Sequence, residues 1–221
     1  MSGALQAVFQ NQRSFNLGIA IGEAYEGGFF AGQIGVGGVA THNLVVGPIA
    51  SAQNSSKQYK NANTAVPGAD SVIDGPQNTA DMVADGSSTV YPAAHFCNDL
   101  TIGGFSDWYM PALNELEICY YNLKPTTGSN GTSSGINANA VPARASNYTT
   151  GVPAQTSATD FKSTGTENFT ATYYWSSSEN ATGSGVPAQE AWSQLFASGT
   201  QYFYSSKTNS FAVRAVRRVA V

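Results

Sequence analysis

The chain has 221 residues, enough to bury a core without metal or disulfide staples, and its two cysteines could not form a metal site alone. Only 11% of the residues are charged, and Gly, Ser, Thr, Asn and Gln dominate the polar remainder, a turn-rich composition that excludes an all-helical fold. A net charge of −4 with scattered basic residues disfavours nucleic acid, and no apolar run approaches the roughly 18 residues of a membrane span.

Residues 1–17 set Leu5, Val8, Phe9 and Phe15 among Gln and Asn, too few apolar groups for a core of their own. They are expected to form an attachment arm that gains order by docking, ahead of one domain over 18–221. The opening lacks the basic and apolar regions of a secretory signal. A cytoplasmic origin is therefore expected, with Cys97 and Cys119 as buried free thiols between two packed helices.

YEGGFFAGQI (25–34) and HNLVVGPIA (42–50), separated by GVGG, read as an opening strand pair. Residues 53–90 are polar and punctuated by Pro67, Gly68, Gly75, Pro76 and Gly86, which predicts a long loop. A helix is predicted around 91–100, with Ala94 and Cys97 on its apolar stripe. A clearer one follows in PALNELEICYYNLKP (111–125), where Leu113, Leu116, Tyr120 and Leu123 share a face. Pro111 suits its start and Pro125 its stop.

Residues 126–170 show no periodicity and read as a functional surface excursion or an irregular insertion. Strand character returns in YYWSSSE (173–179), AWSQLFASGTQYFYSS (191–206) and NSFAVRAVRRVAV (209–221). Alternation in the last run breaks at Arg217 and Arg218, as at a bulge or strand end. Arg214, Arg217 and Arg218 are expected on a solvated or capping edge, paired with Glu115, Glu117 or Glu179. The fold predicted is α+β: two helices on a mixed, mostly antiparallel sheet that includes both 25–34 and 207–219, with long loops.

GGFSDWYMPALNEL (103–116), YYWSSSE (173–179), AWSQLF (191–196) and KTNSFAVRAVRRV (207–219) together resemble the Legionella collagen-like C-terminal, or DUF1566, domain. GEAYEGGFFAGQI (22–34), HNLVVGP (42–48) and DGPQNTADMV (74–83) extend the resemblance over nearly all of the chain after residue 18. The resemblance implies a C-type-lectin-like fold in which Trp108, Trp175, Trp192 and Phe196 are packing residues. One departure is Ala112, where the family commonly has Ser or Thr in a capping box with the following Glu115, so the helix start is expected to lose about 1 kcal/mol. Asp107 is expected to hold a turn by accepting backbone N–H bonds.

NQRSF near the start and YYNLKPTT after the second helix resemble versions of the domain found in structural proteins of marine and cyanobacterial tailed phages. What this implies is a virion protein assembled in the host cytoplasm, a tail-fibre or receptor-binding component that meets a host glycan or protein. Its arm would bind other virion proteins, and the protein would be a homo-oligomer, most naturally a trimer. His42 and His95 sit in no nucleophile, metal or acid/base pattern, and the calcium-ligand motifs of lectins are missing, so neither enzyme activity nor a cofactor nor a metal is expected. The contact candidates are Asn180, Gln194, Tyr202 and Tyr204, the tyrosines sharing one strand face opposite Phe203. Two other functions fit the same residues: a decoration protein that cements capsid or tail, and a retroelement-diversified ligand-binding protein.

Overall fold

In the computed structural model, residues 18–181 and 189–221 are described, so the arm residues Leu5, Val8, Phe9 and Phe15 lie outside the described residues. The Gly-rich opening folds as expected: β1 (Ala24–Tyr25), β2 (Gly28–Val36) and β3 (Val39–Val46) are antiparallel neighbours. The β2–β3 register shifts twice, between Phe30 and Gly32 and between Ile34 and Gly35. At Gly35 a Cβ would lie 1.9 Å from the Val39 carbonyl oxygen, so the partner strand's close approach requires glycine there.

The polar stretch predicted as loop holds two regular elements. After the single helical turn α1 (Ile49–Ala52), β4 (Gln53–Gln58) is a strand with no apolar side chain, which leaves no alternation to read. Helix α2 (Gly75–Asp85) starts where the Asp74 carboxylate accepts the Gln77 N–H at 3.3 Å, has Pro76 in its first turn and stops at Gly86. Those are ordinary start and stop signals, but its apolar stripe is too thin to announce it.

Helix α3 (Pro92–Asn98) buries Ala93, Ala94 and Cys97, and α4 (Leu113–Leu123) buries the predicted Leu113, Leu116, Tyr120 and Leu123. The two cysteines are free and buried, but in separate core clusters: Cys97 lies with Tyr59, Trp108 and Trp175, Cys119 with Leu44, Tyr120, Tyr174 and Phe196. The thiols therefore do not meet between two packed helices. Burial pushes both thiols well above their ordinary pKa.

After α4 come β5 (Ala140–Val141), β6 (Tyr173–Glu179), β7 (Glu190–Leu195), β8 (Gln201–Ser206), β9 (Ser210–Arg214) and β10 (Val216–Ala220). The single predicted sheet is two sheets. One has the order β1-β2-β3-β10, with β5 also on β2, and the other β4-β9-β6-β7-β8, mixed because β6 and β9 run parallel. The C-terminal run changes sheets at Ala215, whose N–H donates to the Ala52 carbonyl and whose carbonyl accepts from Gly47. The break in alternation thus falls at Ala215, and Arg217 and Arg218 stay in register with Val45 and Leu44 of β3.

Residues 126–170 are largely irregular, yet they supply Tyr148, Phe161 and Phe169 to the core. Glu117 of α4, fully buried, ties the segment down by accepting from Asn137, Arg144 and Tyr148. A buried carboxylate surrounded by donors replaces the apolar periodicity that the sequence lacks.

The arginines are not a solvated edge. Arg214 is buried between the Phe161 and Phe169 rings and bonds Glu167 at 2.8 Å, and Arg217 forks onto Asp107 at 2.7 and 3.0 Å. Asp107 thus accepts a guanidinium rather than backbone N–H groups. Arg218 meets the expected Glu115, while Glu117 and Glu179 take Arg144 and Lys207 instead.

Candidate functional site

Strands β7 and β8 form a hairpin whose turn contains Gly199, and β8 is the outer strand of its sheet. Their register pairs Ala191 with Ser205 and Ser193 with Tyr202, so Trp192 alone opposes both Phe203 and Tyr204. A bulge of this kind turns neighbouring side chains away from strict alternation. Phe203 consequently packs edge-on against Tyr204 (centroids 5.0 Å) as well as against Trp192 (5.6 Å).

From there the rings run on across the sheet. Tyr204 meets Tyr202 at 5.5 Å, Tyr202 meets Tyr173 at 5.4 Å, Tyr173 stacks on Phe211 at 4.9 Å, and Phe211 leans on Trp175 at 4.6 Å. Trp175 is fully buried and its indole N–H donates to Lys57 O, whereas Tyr204 is 53% exposed. The stripe is thus anchored in the core at one end and open to solvent at the other. Burial and the nearby Tyr202 and Tyr204 hydroxyls raise the Tyr173 phenol above its ordinary pKa.

At the open end a groove of about 340 Å³ runs beside β8, lined by Trp192, Tyr202, Phe203 and Tyr204 together with Ser133, Ser134, Thr200 and Gln201. No lining side chain carries a charge. The Ser134 hydroxyl accepts the outward N–H of Gln201 at 2.9 Å. The Trp192 indole N–H, the Ser133 hydroxyl and the Gln201 side-chain amide have no hydrogen-bond partner among the described residues. Aromatic faces with a few uncommitted polar groups are the usual make-up of a small-ligand site.

Two smaller clefts differ in that their charges are already engaged. Arg144 lines one of about 200 Å³, but it stacks on Tyr121 at 4.1 Å and bonds Glu117. Arg218 lines one of about 90 Å³, but it is committed to Glu115.

Of the four sequence candidates, Tyr202 and Tyr204 line the groove. Gln194 and Asn180 do not reach the surface. Gln194 is fully buried and donates to Gly199 O at 3.1 Å, and Asn180 is 2% exposed and bonded to Glu190. Their polarity suggested solvent, but buried amides serve as well when partners are at hand. Trp192, expected in the core, is half-buried in the groove wall with Phe203. The resemblance placed it among packing residues, and the β8 bulge opposite it is not written in the residues of β7.

His42 Nδ1 lies 3.0 Å from the Thr41 hydroxyl, and His95 bonds Gly86 O at 2.8 Å. Among the described residues no group of His, Cys, Asp and Glu is placed to hold a metal ion. No helix of the described residues is long and apolar enough to cross a membrane.

Among the described residues, two sheets carrying four α-helices, with an aromatic groove at one sheet edge, define an α+β domain with mixed and antiparallel strands. The model of the Lcl C-terminal domain family matches residues 69–217, and the chain belongs to that family. Among solved structures it is similar to a fimbrial protein from Bacteroides ovatus ATCC 8483, with 13% identity, a TM-score of 0.45, and coverage of 79% of this chain and 35% of that one. The chain spans about a third of that protein's length. No curated protein matches the chain.

Proposed function

We propose that the chain is a non-enzymatic recognition module of a tailed-phage particle, a C-type-lectin-like domain whose β8 groove contacts the host cell surface. The observation that carries this reading is the ring stripe: rigid aromatic side chains, locked in the core through Trp175, reach solvent beside polar groups without a partner among the described residues. Large rigid rings give contact area at low entropic cost, which is how recognition surfaces are built. The phage setting rests on the resemblance of residues 11–15 and 120–127 to phage structural proteins. Attachment through residues 1–17 and a trimeric particle component belong to the same proposal.

The test is adsorption of the fluorescently labelled protein to marine cyanobacterial cells. The reading expects saturable binding that falls about tenfold in Trp192→Ala and Tyr204→Ala while the folded fraction is unchanged. Absence of binding to any strain, with the protein seated on capsid or tail in imaged particles, would favour the decoration role instead.

A further inference from the structure

We infer that the β8 groove takes a neutral saccharide; this rests on reading the groove as a recognition surface. The first observation is charge. Trp192, Tyr202, Phe203, Tyr204, Ser133 and Gln201 line the groove, and none is ionisable near neutral pH. Arg144, Arg214, Arg217, Arg218 and Lys207 are each paired elsewhere, with Glu117, Glu167, Asp107, Glu115 and Glu179. Lys124 is held by the carbonyls of Gly128 and Pro153. An anionic sugar, sulfated or carboxylated, would find no counter-charge in the groove and would meet a chain of net charge −4.

The second observation is the pairing of surfaces. A pyranose presents a face of C–H groups, slightly positive, and a rim of hydroxyls. The negative π-face of an aromatic ring suits the former, and mixed donors and acceptors suit the latter. Here edge-to-face packing of Phe203 on Tyr204 and of Tyr202 on Tyr204 keeps the rings from covering one another face to face. Beside them stand the Trp192 indole N–H, a donor, and the Ser133 hydroxyl and Gln201 amide, which both donate and accept.

The third observation separates a sugar from an extended peptide. A peptide would add as a strand to the open edge of β8, using its outward N–H and C=O groups. The bulge at Phe203 and Tyr204 interrupts that row, and the Ser134 hydroxyl already takes the Gln201 N–H. Both devices blunt an edge against strand addition.

The experiment uses the full chain and the cells to which it adsorbs. Surface polysaccharide from those cells is divided by anion exchange into neutral and acidic fractions, and each competes against labelled protein. Parallel batches of cells are treated with periodate, which cleaves vicinal diols, or with protease. Competition by the neutral fraction, loss after periodate and persistence after protease are expected, with the signal reduced about tenfold by Trp192→Ala or Tyr204→Ala. Competition by the acidic fraction alone, or loss after protease alone, would overturn the saccharide inference and leave the recognition reading standing. Adsorption indifferent to both substitutions, or no adsorption to any cell, would overturn the recognition reading itself.

Discussion

Glu115 and Arg218, 103 residues apart in the chain, meet at 2.7 Å and join the start of α4 to β10. The same carboxylate accepts the Tyr109 hydroxyl at 2.5 Å and the Ala112 N–H at 2.8 Å, so both of its oxygens are engaged. Glu115 is fully buried while Arg218 is partly exposed, so the guanidinium compensates a charge that has no access to water.

Arg218→Met is therefore expected to cost about 3–5 kcal/mol, the usual price of a buried charge left alone. Burial already holds the Glu115 carboxyl above its ordinary range, and Arg218 is the chief influence opposing that rise. Without it the folded-state pKa climbs further above the unfolded one. A group so shifted contributes most below its unfolded pKa, and the contribution is lost as pH rises through the folded value. The variant's deficit should be larger at pH 8 than at pH 4, measured by denaturant midpoints. An equal deficit at both pH values would show that Arg218 acts by packing alone.

Ser178→Ala is expected to cost about 1–2 kcal/mol. The family's capping hydroxyl is missing at Ala112, but the Ser178 hydroxyl on β6 accepts the Leu113 N–H at 3.0 Å and donates to Ser71 O at 2.8 Å. Two of the helix's first N–H groups are thus taken from outside it, Leu113 by Ser178, 65 positions away, and Asn114 by the Val72 carbonyl. Ala112→Ser should accordingly gain nothing, because the position is fully buried and an added hydroxyl would crowd its packed surroundings. Urea denaturation of both variants checks this, and a gain near 1 kcal/mol in Ala112→Ser would refute it.

These two cases show what the sequence could and could not reveal. Helix α4 was legible because Leu113, Leu116, Tyr120 and Leu123 repeat at helical spacing, and all four are buried. Its cap was not, since the acceptor comes from another strand. Strand β4, QNSSKQ, was illegible because polar side chains on both faces leave no period. At the site, Tyr202 and Tyr204 were found by alternation, Trp192 was hidden because the resemblance assigned it to packing, and Phe203 because one extra residue in β8 shifts who faces whom.

Gly199→Ala should be destabilising by about 2 kcal/mol or more. Its φ of +71° is a left-handed conformation, and a Cβ would lie 2.1 Å from Tyr120 Cε1 in a fully buried ring. Because this turn sets where β8 lies, the variant should also weaken adsorption. Thermal melting checks the first point, and an unchanged midpoint would contradict it.

The two ends of the ring stripe should behave oppositely on truncation. Trp175→Ala is expected to cost about 3–5 kcal/mol as a cavity in a packed core. Tyr204→Ala should change stability by less than about 0.5 kcal/mol, since the side chain is half in water. Calorimetry of the pair tests this, and a large loss at Tyr204 would mean that it packs rather than recognises.

In the native protein Cys97 and Cys119 should resist an aromatic disulfide reagent and react at once in denaturant, because burial disfavours both thiolates. Fast labelling of either under native conditions would mean that its helix opens.

The switch at Ala215 bears on how the protein is made. Residues 210–214 fill the place between β4 and β6, and residues 216–220 pair with β3, so one short stretch completes both sheets. On the ribosome, everything before it must wait with two unfinished sheets until that stretch emerges. A nascent chain in that condition exposes strand edges and core rings, and depends on chaperones or on speed of synthesis to stay clear of its neighbours.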